Sequence, residues 1–187
     1  MEFIKKIIRA ILRNVFGLEL HWIKPNKLPI ASATTTQIVS SLQKFGIDLI
    51  LDVGANKGQF ASEIRHGGYT GKILSFEPLS EAHAKLLQVS VDDDMWSIYP
   101  RCALGDHNGE VEINIASNSL SSSILPMLES HRSAAPESAY QGKEIVPIKT
   151  LDTAVGQYLK NSHAPFLKID TQGFEWQVLD GSLAILP

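Results

Sequence analysis

Leu49-Ile50-Leu51-Asp52-Val53-Gly54-Ala55-Asn56-Lys57-Gly58 is the stretch whose reading decides the fold. Its first half is a short apolar run rich in branched residues, bounded by Asp48 and Gly54, the pattern of a strand buried on both faces in a parallel sheet. Its second half places glycine at 54 and 58. There the chain turns tightly, and a ligand approaches the main chain with no Cβ in the way. Residues 59–66 continue as a helix. A glycine turn between a strand and a helix is where doubly wound α/β folds bind their ligands.

Outward from this unit the chain alternates. Residues 37–45 read as a helix closed by Gly46, a favoured residue just past a helix end. Downstream come a strand at 72–76, a helix at 80–89 opened by Ser80 as N-cap, and a third strand at 98–104. A strand at 145–148, a helix at 151–159, a strand at 166–169 and a helix near 174–179 follow. This alternation predicts an α/β fold, a parallel sheet with helices on both faces. Asp106-His107-Asn108-Gly109 is a turn signal ahead of an alternating, half-buried strand at 110–115, a hairpin-like insertion. Residues 117–142 are polar and rich in Ser and Ala, which predicts a long surface loop near a site. The apolar end, Leu183 to Pro187, leads into no further strand. The expectation is a sheet that lacks its C-terminal strands.

Residues 1–36 form a separate region, an amphipathic helix and a linker ahead of a domain spanning 37–187. Phe3, Ile4, Ile7, Ile8, Ile11, Leu12, Val15 and Phe16 recur at helical spacing, with Lys5, Lys6, Arg9 and Arg13 opposite them. Two readings stand: a helix packed across the domain, and a helix lying on an anionic membrane surface.

Bulk properties narrow the function classes. The 187 residues carry 44% hydrophobic content, enough for one domain with a real core. A net charge of -3 argues against nucleic acid as a partner, since that affinity rests on Lys and Arg contacts to phosphate. Cys102 is the single cysteine, so neither an internal disulfide nor a cysteine metal site can form. No apolar run approaches the roughly 18 residues needed to span a bilayer, and no cleavage site follows the N-terminal apolar positions. A cytoplasmic location is expected.

The candidate ligand site joins the glycine turn to Glu77. An acid at the end of the second strand can accept hydrogen bonds from both hydroxyls of a ribose. Asp52 closes the first strand with a carboxylate that can meet an ammonium group or fix the turn, and Asn56 adds an amide able to do either. A dinucleotide fingerprint needs G-x-G-x-x-G, whereas Gly54 and Gly58 here flank Asn56 in a G-x-x-x-G spacing. Pyrophosphate is thereby disfavoured. A ligand with an adenosine half and an amino-acid half fits better.

The ordered set Ile50-Leu51-Asp52-Val53-Gly54-Ala55-Asn56-Lys57-Gly58-Gln59-Phe60, Phe76-Glu77-Pro78, Ala103-Leu104-Gly105-Asp106, Ser121-Ser122-Ser123, Lys149-Thr150-Leu151-Asp152 and Leu167-Lys168-Ile169-Asp170-Thr171-Gln172-Gly173-Phe174-Glu175 resembles the FkbM family of methyltransferases over residues 48–181. The resemblance implies a Rossmann-like class I methyltransferase fold, S-adenosyl-L-methionine as cofactor, and methylation of hydroxyl groups on sugars or small natural products. It implies that Asp52, Gly54, Asn56 and Gly58 line the methionine part, that Glu77 with Pro78 holds the ribose, and that Ala103 and Leu104 flank the adenine. Two departures are the missing final strands and Gln172, where the family's usual residue before the last motif glycine is Glu.

For the chemistry, Asp170 at the carboxyl end of the strand 166–169 is the first choice for general base or substrate clamp. Glu175 can assist it or join it in holding a divalent cation through oxygen ligands. Lys168 shares a strand face with Asp170 and can pair with it or orient a substrate oxygen. Each has a structural alternative: Glu175 and Asp170 also suit a helix start. His83, His107, His131 and His163 show no metal-like spacing. The alternatives in function are a non-catalytic, truncated relative and a nucleotide-dependent oxidoreductase. The acceptor and the oligomeric state are not written in these motifs.

Overall fold

The computed structural model describes residues 32–116, 124 and 140–186. The expected amphipathic helix at 1–20 and the Ser121-Ser122-Ser123 motif lie outside the described residues.

The first described element, α1 (Ala33–Lys44), begins four residues before the predicted start at Gln37. The reason is a cap: Ser32 Oγ accepts the Thr35 N–H at 3.0 Å, and Thr35 turns inward with Val39 and Leu42. Residues 33–36, placed in the linker by the sequence, are thus the first turn of a helix. There follow β1 (Leu49–Val53), α2 (Gln59–His66), β2 (Lys72–Phe76) and α3 (Ser80–Val89), all with the predicted bounds. Ser80, however, is the first helical residue of α3 and not its N-cap, which is Leu79.

The predicted strand 98–104 divides in two. β3 (Trp96–Ile98) pairs with β2, while β4 (Ala103–Leu104) joins another sheet. Pro100 stands between them, and proline cannot donate to a ladder. β5 (Gly109–Ala116) and β6 (Tyr140–Lys149) are both longer than their apolar runs suggest because each is paired along the other. α4 (Leu151–Leu159), β7 (Pro165–Ile169) and α5 (Glu175–Asp180) complete the described chain.

The described strands form two sheets. The first is four-stranded and wholly parallel, in the order β3-β2-β1-β7. The second has the order β4-β6-β5, with β4 parallel and β5 antiparallel to β6. Asp106 to Gly109 is therefore not a hairpin turn between β4 and β5: β6 lies between them.

Alternation along β1 assigns the two faces of the first sheet. Leu49, Leu51 and Val53 pack with Leu151, Ala154 and Val155 of α4 and Val178 of α5. Ile50 packs on the opposite face with Val39 and Leu42 of α1, Ala61 and Ile64 of α2, and Leu86 of α3. Every residue of β1 is buried, as a strand covered on both faces must be. A third cluster, including Leu79, Ile113, Val146, Ile148 and Phe174, joins the second sheet to the carboxyl ends of the first. No helix among the described residues is long and apolar enough to cross a membrane.

Candidate functional site

At the carboxyl end of β1 the chain leaves the sheet through three left-handed residues, Gly54 at φ 73°, Asn56 at φ 49° and Gly58 at φ 85°. Gly54 is required by contact as well as by backbone. A Cβ there would stand 2.0 Å from the Asp170 carbonyl oxygen, because β7 ends directly beside the turn. The N–H groups of Gly54 and Ala55 donate to the Phe76 carbonyl at 3.1 and 3.0 Å, and the Asp170 N–H donates to Val53 at 3.0 Å. The ends of β2, β1 and β7 are laced together in this way.

Glu77 follows Phe76 and is only 5% exposed. Its Oε2 accepts the Asn56 N–H at 2.8 Å and its Oε1 accepts the Leu79 N–H at 2.9 Å. Burial pushes its pKa up to about 7, against the opposing pull of these two N–H groups, with the nearby Asp52 charge adding to the rise. A carboxylate has about four lone-pair sites, so two main-chain donors leave each oxygen able to accept one more.

Asp52 is fully buried behind the turn. It faces Lys168 across the β1–β7 register, and the Lys168 Nζ stands 3.0 Å from Asp52 Oδ1 while donating to the Gly54 carbonyl at 3.0 Å. On the other side Ser75 Oγ donates to Asp52 Oδ2 at 3.3 Å and itself accepts the Trp96 indole N–H at 2.9 Å. Four neighbouring strands thus contribute one polar row beneath the turn. Desolvation raises the Asp52 pKa, and Lys168 works against it.

Past β7, Asp170 is exposed at 56% of its side chain, with Oδ2 4.0 Å from Lys168 Nζ and Oδ1 accepting the Gln172 amide at 2.8 Å. Gln172 and Gly173 are left-handed, at φ 54° and 99°. Glu175 organises this loop: its Oε1 accepts the N–H groups of Thr171 at 2.9 Å and Gly173 at 3.0 Å. Desolvation acts to raise the Glu175 pKa, but these N–H groups outweigh it and leave the carboxyl below its usual range.

These elements enclose an open cleft of about 710 Å³, counted out to solvent. Its polar wall is Gly54, Asn56, Glu77, Asp170, Thr171 and Gln172. Its apolar walls include Phe76, Pro78, Ala103 and Leu104, closed by Leu79, Ile113, Ile124 and Phe174. Of the residues singled out in sequence, Gly54, Asn56, Glu77, Pro78, Ala103, Leu104 and Asp170 come together on this cleft. Asp52, Gly58, Lys168 and Glu175 are not on its walls: Asp52 and Lys168 underlie the turn, Gly58 ends it against Trp96 and Leu86, and Glu175 underlies the 170–174 loop.

Thr171, Leu79 and Phe174 were not singled out. Thr171 stands at a strand's carboxyl end, where the rule that picked Asp170 also points. Ile113 had no local signal, because it reaches the cleft through the second sheet. Among the described residues no group of three or more His, Cys, Asp or Glu side chains is placed to hold a metal ion.

A parallel sheet covered by helices on both faces, with a glycine turn after one strand and an acid after its neighbour, defines a Rossmann-like fold of the class I methyltransferase type. Residues 52–186 match the methyltransferase FkbM domain, and the chain belongs to that family of S-adenosyl-L-methionine-dependent methyltransferases. No curated protein matches it in sequence. Among solved structures it is similar to the plantazolicin methyltransferase BamL, in complex with a triazolic desmethylPZN analog and SAH, at a TM-score of 0.31 and 9% identity. That similarity covers 74% of this chain and 61% of BamL, so the chain spans less than two thirds of that protein's length.

Proposed function

We propose that this chain binds S-adenosyl-L-methionine in the cleft and methylates a hydroxyl group on a sugar or small natural product. The observation that carries the reading is Glu77, a buried carboxylate on the cleft wall with acceptor capacity left after its two main-chain bonds. Ribose hydroxyls are the donors that suit it. Ala103 and Leu104 with Phe76 offer an apolar slot for adenine, and Gly54 and Asn56 present main chain to the methionine part. Asp52 supports that turn from behind and Gly58 ends it. Bound there, the cofactor supplies a methyl group on a sulfonium.

The chain's own contribution to the chemistry is to hold an acceptor hydroxyl in line and take its proton. Asp170 is exposed on the cleft and is assigned that role. Lys168, bridging Asp52 and the Gly54 carbonyl, is assigned to positioning. Glu175, with its oxygens accepting from Thr171 and Gly173, is assigned a positioning role in place of the cation ligand that the sequence raised. The basic amphipathic pattern at 1–20 suits a helix packed across the domain and, as the alternative, one lying on the inner face of a membrane.

The test uses cofactor labelled in its methyl group and a panel of sugars and hydroxylated natural products. Label should appear in an acceptor as a methyl ether. Asp170→Asn should depress turnover by roughly 100-fold or more while binding S-adenosyl-L-homocysteine as the parent does. A fully active variant would remove Asp170 from the chemistry, and cofactor binding without any transfer across the panel would favour a non-catalytic relative.

A further inference from the structure

The start of α3 takes its hydrogen-bond acceptors from two places, one local and one distant. The Leu79 N–H goes to Glu77, but the next one, Ser80 N–H, donates to both oxygens of Glu144 at 3.3 Å, and the Ser80 hydroxyl donates to Glu144 Oε2 at 3.2 Å. Glu144 stands on β6, 64 residues along the chain. Arg101, between β3 and β4, pairs with the same carboxylate and donates from Nη1 to the Pro78 carbonyl at 3.2 Å. The pair is half-buried, with side chains 35% and 20% exposed, so it is screened less than a surface pair. Leu79, the N-cap, has no side-chain oxygen to offer and instead lines the cleft. The cap that a local Ser or Asp ordinarily supplies therefore comes from the second sheet.

The segment thus held, Glu77-Pro78-Leu79-Ser80, is the one that carries the cleft's buried acid. Glu144 is paired across the strands with Ile113, which lines the same cleft from the second sheet. We infer that Glu144 is a positioning residue for cofactor binding: acting through Ser80 and Arg101, it fixes the 77–80 turn in the register at which Glu77 and Leu79 meet the ligand, and ties that turn to the second sheet. The inference rests on the reading of Glu77 as the ribose acceptor.

Calorimetric titration of the full chain with S-adenosyl-L-homocysteine tests it with three variants. Glu144→Ala removes the acceptor. Ser80→Pro cuts the same link from the other side at little cost to the helix, since proline suits a first helical residue and Leu79, at φ -77° and ψ 132°, already has the conformation that precedes proline. Glu144→Ala should weaken binding about tenfold and Ser80→Pro by no more than that, since Arg101 still pairs with Glu144 there, and the double variant should be no weaker than Glu144→Ala, which already lacks the Ser80 link. Glu144→Gln, which keeps an acceptor for Ser80 but loses the charge paired with Arg101, should bind between the parent and Glu144→Ala. A plain structural cap predicts lower melting temperatures with unchanged affinity, and that result, or additive losses in the double variant, would overturn the inference while leaving the ribose reading intact. Failure of the parent chain to bind the ligand would overturn both. If Glu144→Ala does not fold, Ser80→Pro and Glu144→Gln decide the matter alone.

Discussion

Glu77 is held by two main-chain N–H groups and still titrates near neutrality, because burial costs its ionised form more than those bonds return. With a folded pKa of about 7 against an ordinary 4.5, the folded chain keeps a proton that the unfolded chain has lost. Stability from this group is therefore fully present below about pH 4.5 and is lost as pH rises through 7, by about 3 kcal/mol at most. Glu77→Gln has no such titration, and its amide group faces one N–H with another. It should melt below the parent at pH 5, and the gap should narrow by pH 8; parallel melting profiles for the two would contradict the assignment. Ribose hydroxyls donate best to the ionised carboxylate, so affinity for S-adenosyl-L-homocysteine should rise over the same interval.

Among elements, the pairing of β1 with β7 places a buried charge on one strand and its partner on the next. Asp52 is unexposed, and Lys168 is the cation beside it at 3.0 Å. Lys168→Met removes the partner and leaves the carboxylate stranded, which should cost about 3 to 5 kcal/mol in urea unfolding. Adding Asp52→Asn to that variant should recover much of the loss by removing the stranded charge. A neutral Lys168→Met would show that the row beneath the turn does not stabilise the strands. The same elements show what local sequence reveals. β1, α2, β2 and α3 were legible to the residue because their patterns end at local signals, glycine after β1 and polar residues around β2. The division of residues 98–104 was not, because β3 takes its partner from β2 and β4 takes its own from β6, some 45 residues further on. Pro100 was the one local sign. Likewise Ser32 caps α1 through a threonine-rich turn that propensity alone assigns to a linker.

In the whole molecule the cleft lies where the carboxyl ends of one sheet meet the side of another. The first sheet's contribution, Gly54, Asn56, Glu77 and Asp170, was legible because parallel strands place their carboxyl ends on one edge. The second sheet's contribution was not: Ile113 and Glu144 act on the cleft only through tertiary pairing, and nothing in their neighbourhoods marks them. The reading proposed for the G-x-x-x-G turn with Glu77, an S-adenosyl-L-methionine pocket and not a dinucleotide one, can be measured directly. Calorimetric titration of the purified chain with S-adenosyl-L-homocysteine and, separately, with NAD should show saturable one-to-one binding of the first and none of the second; binding of NAD without the homocysteine compound would contradict it.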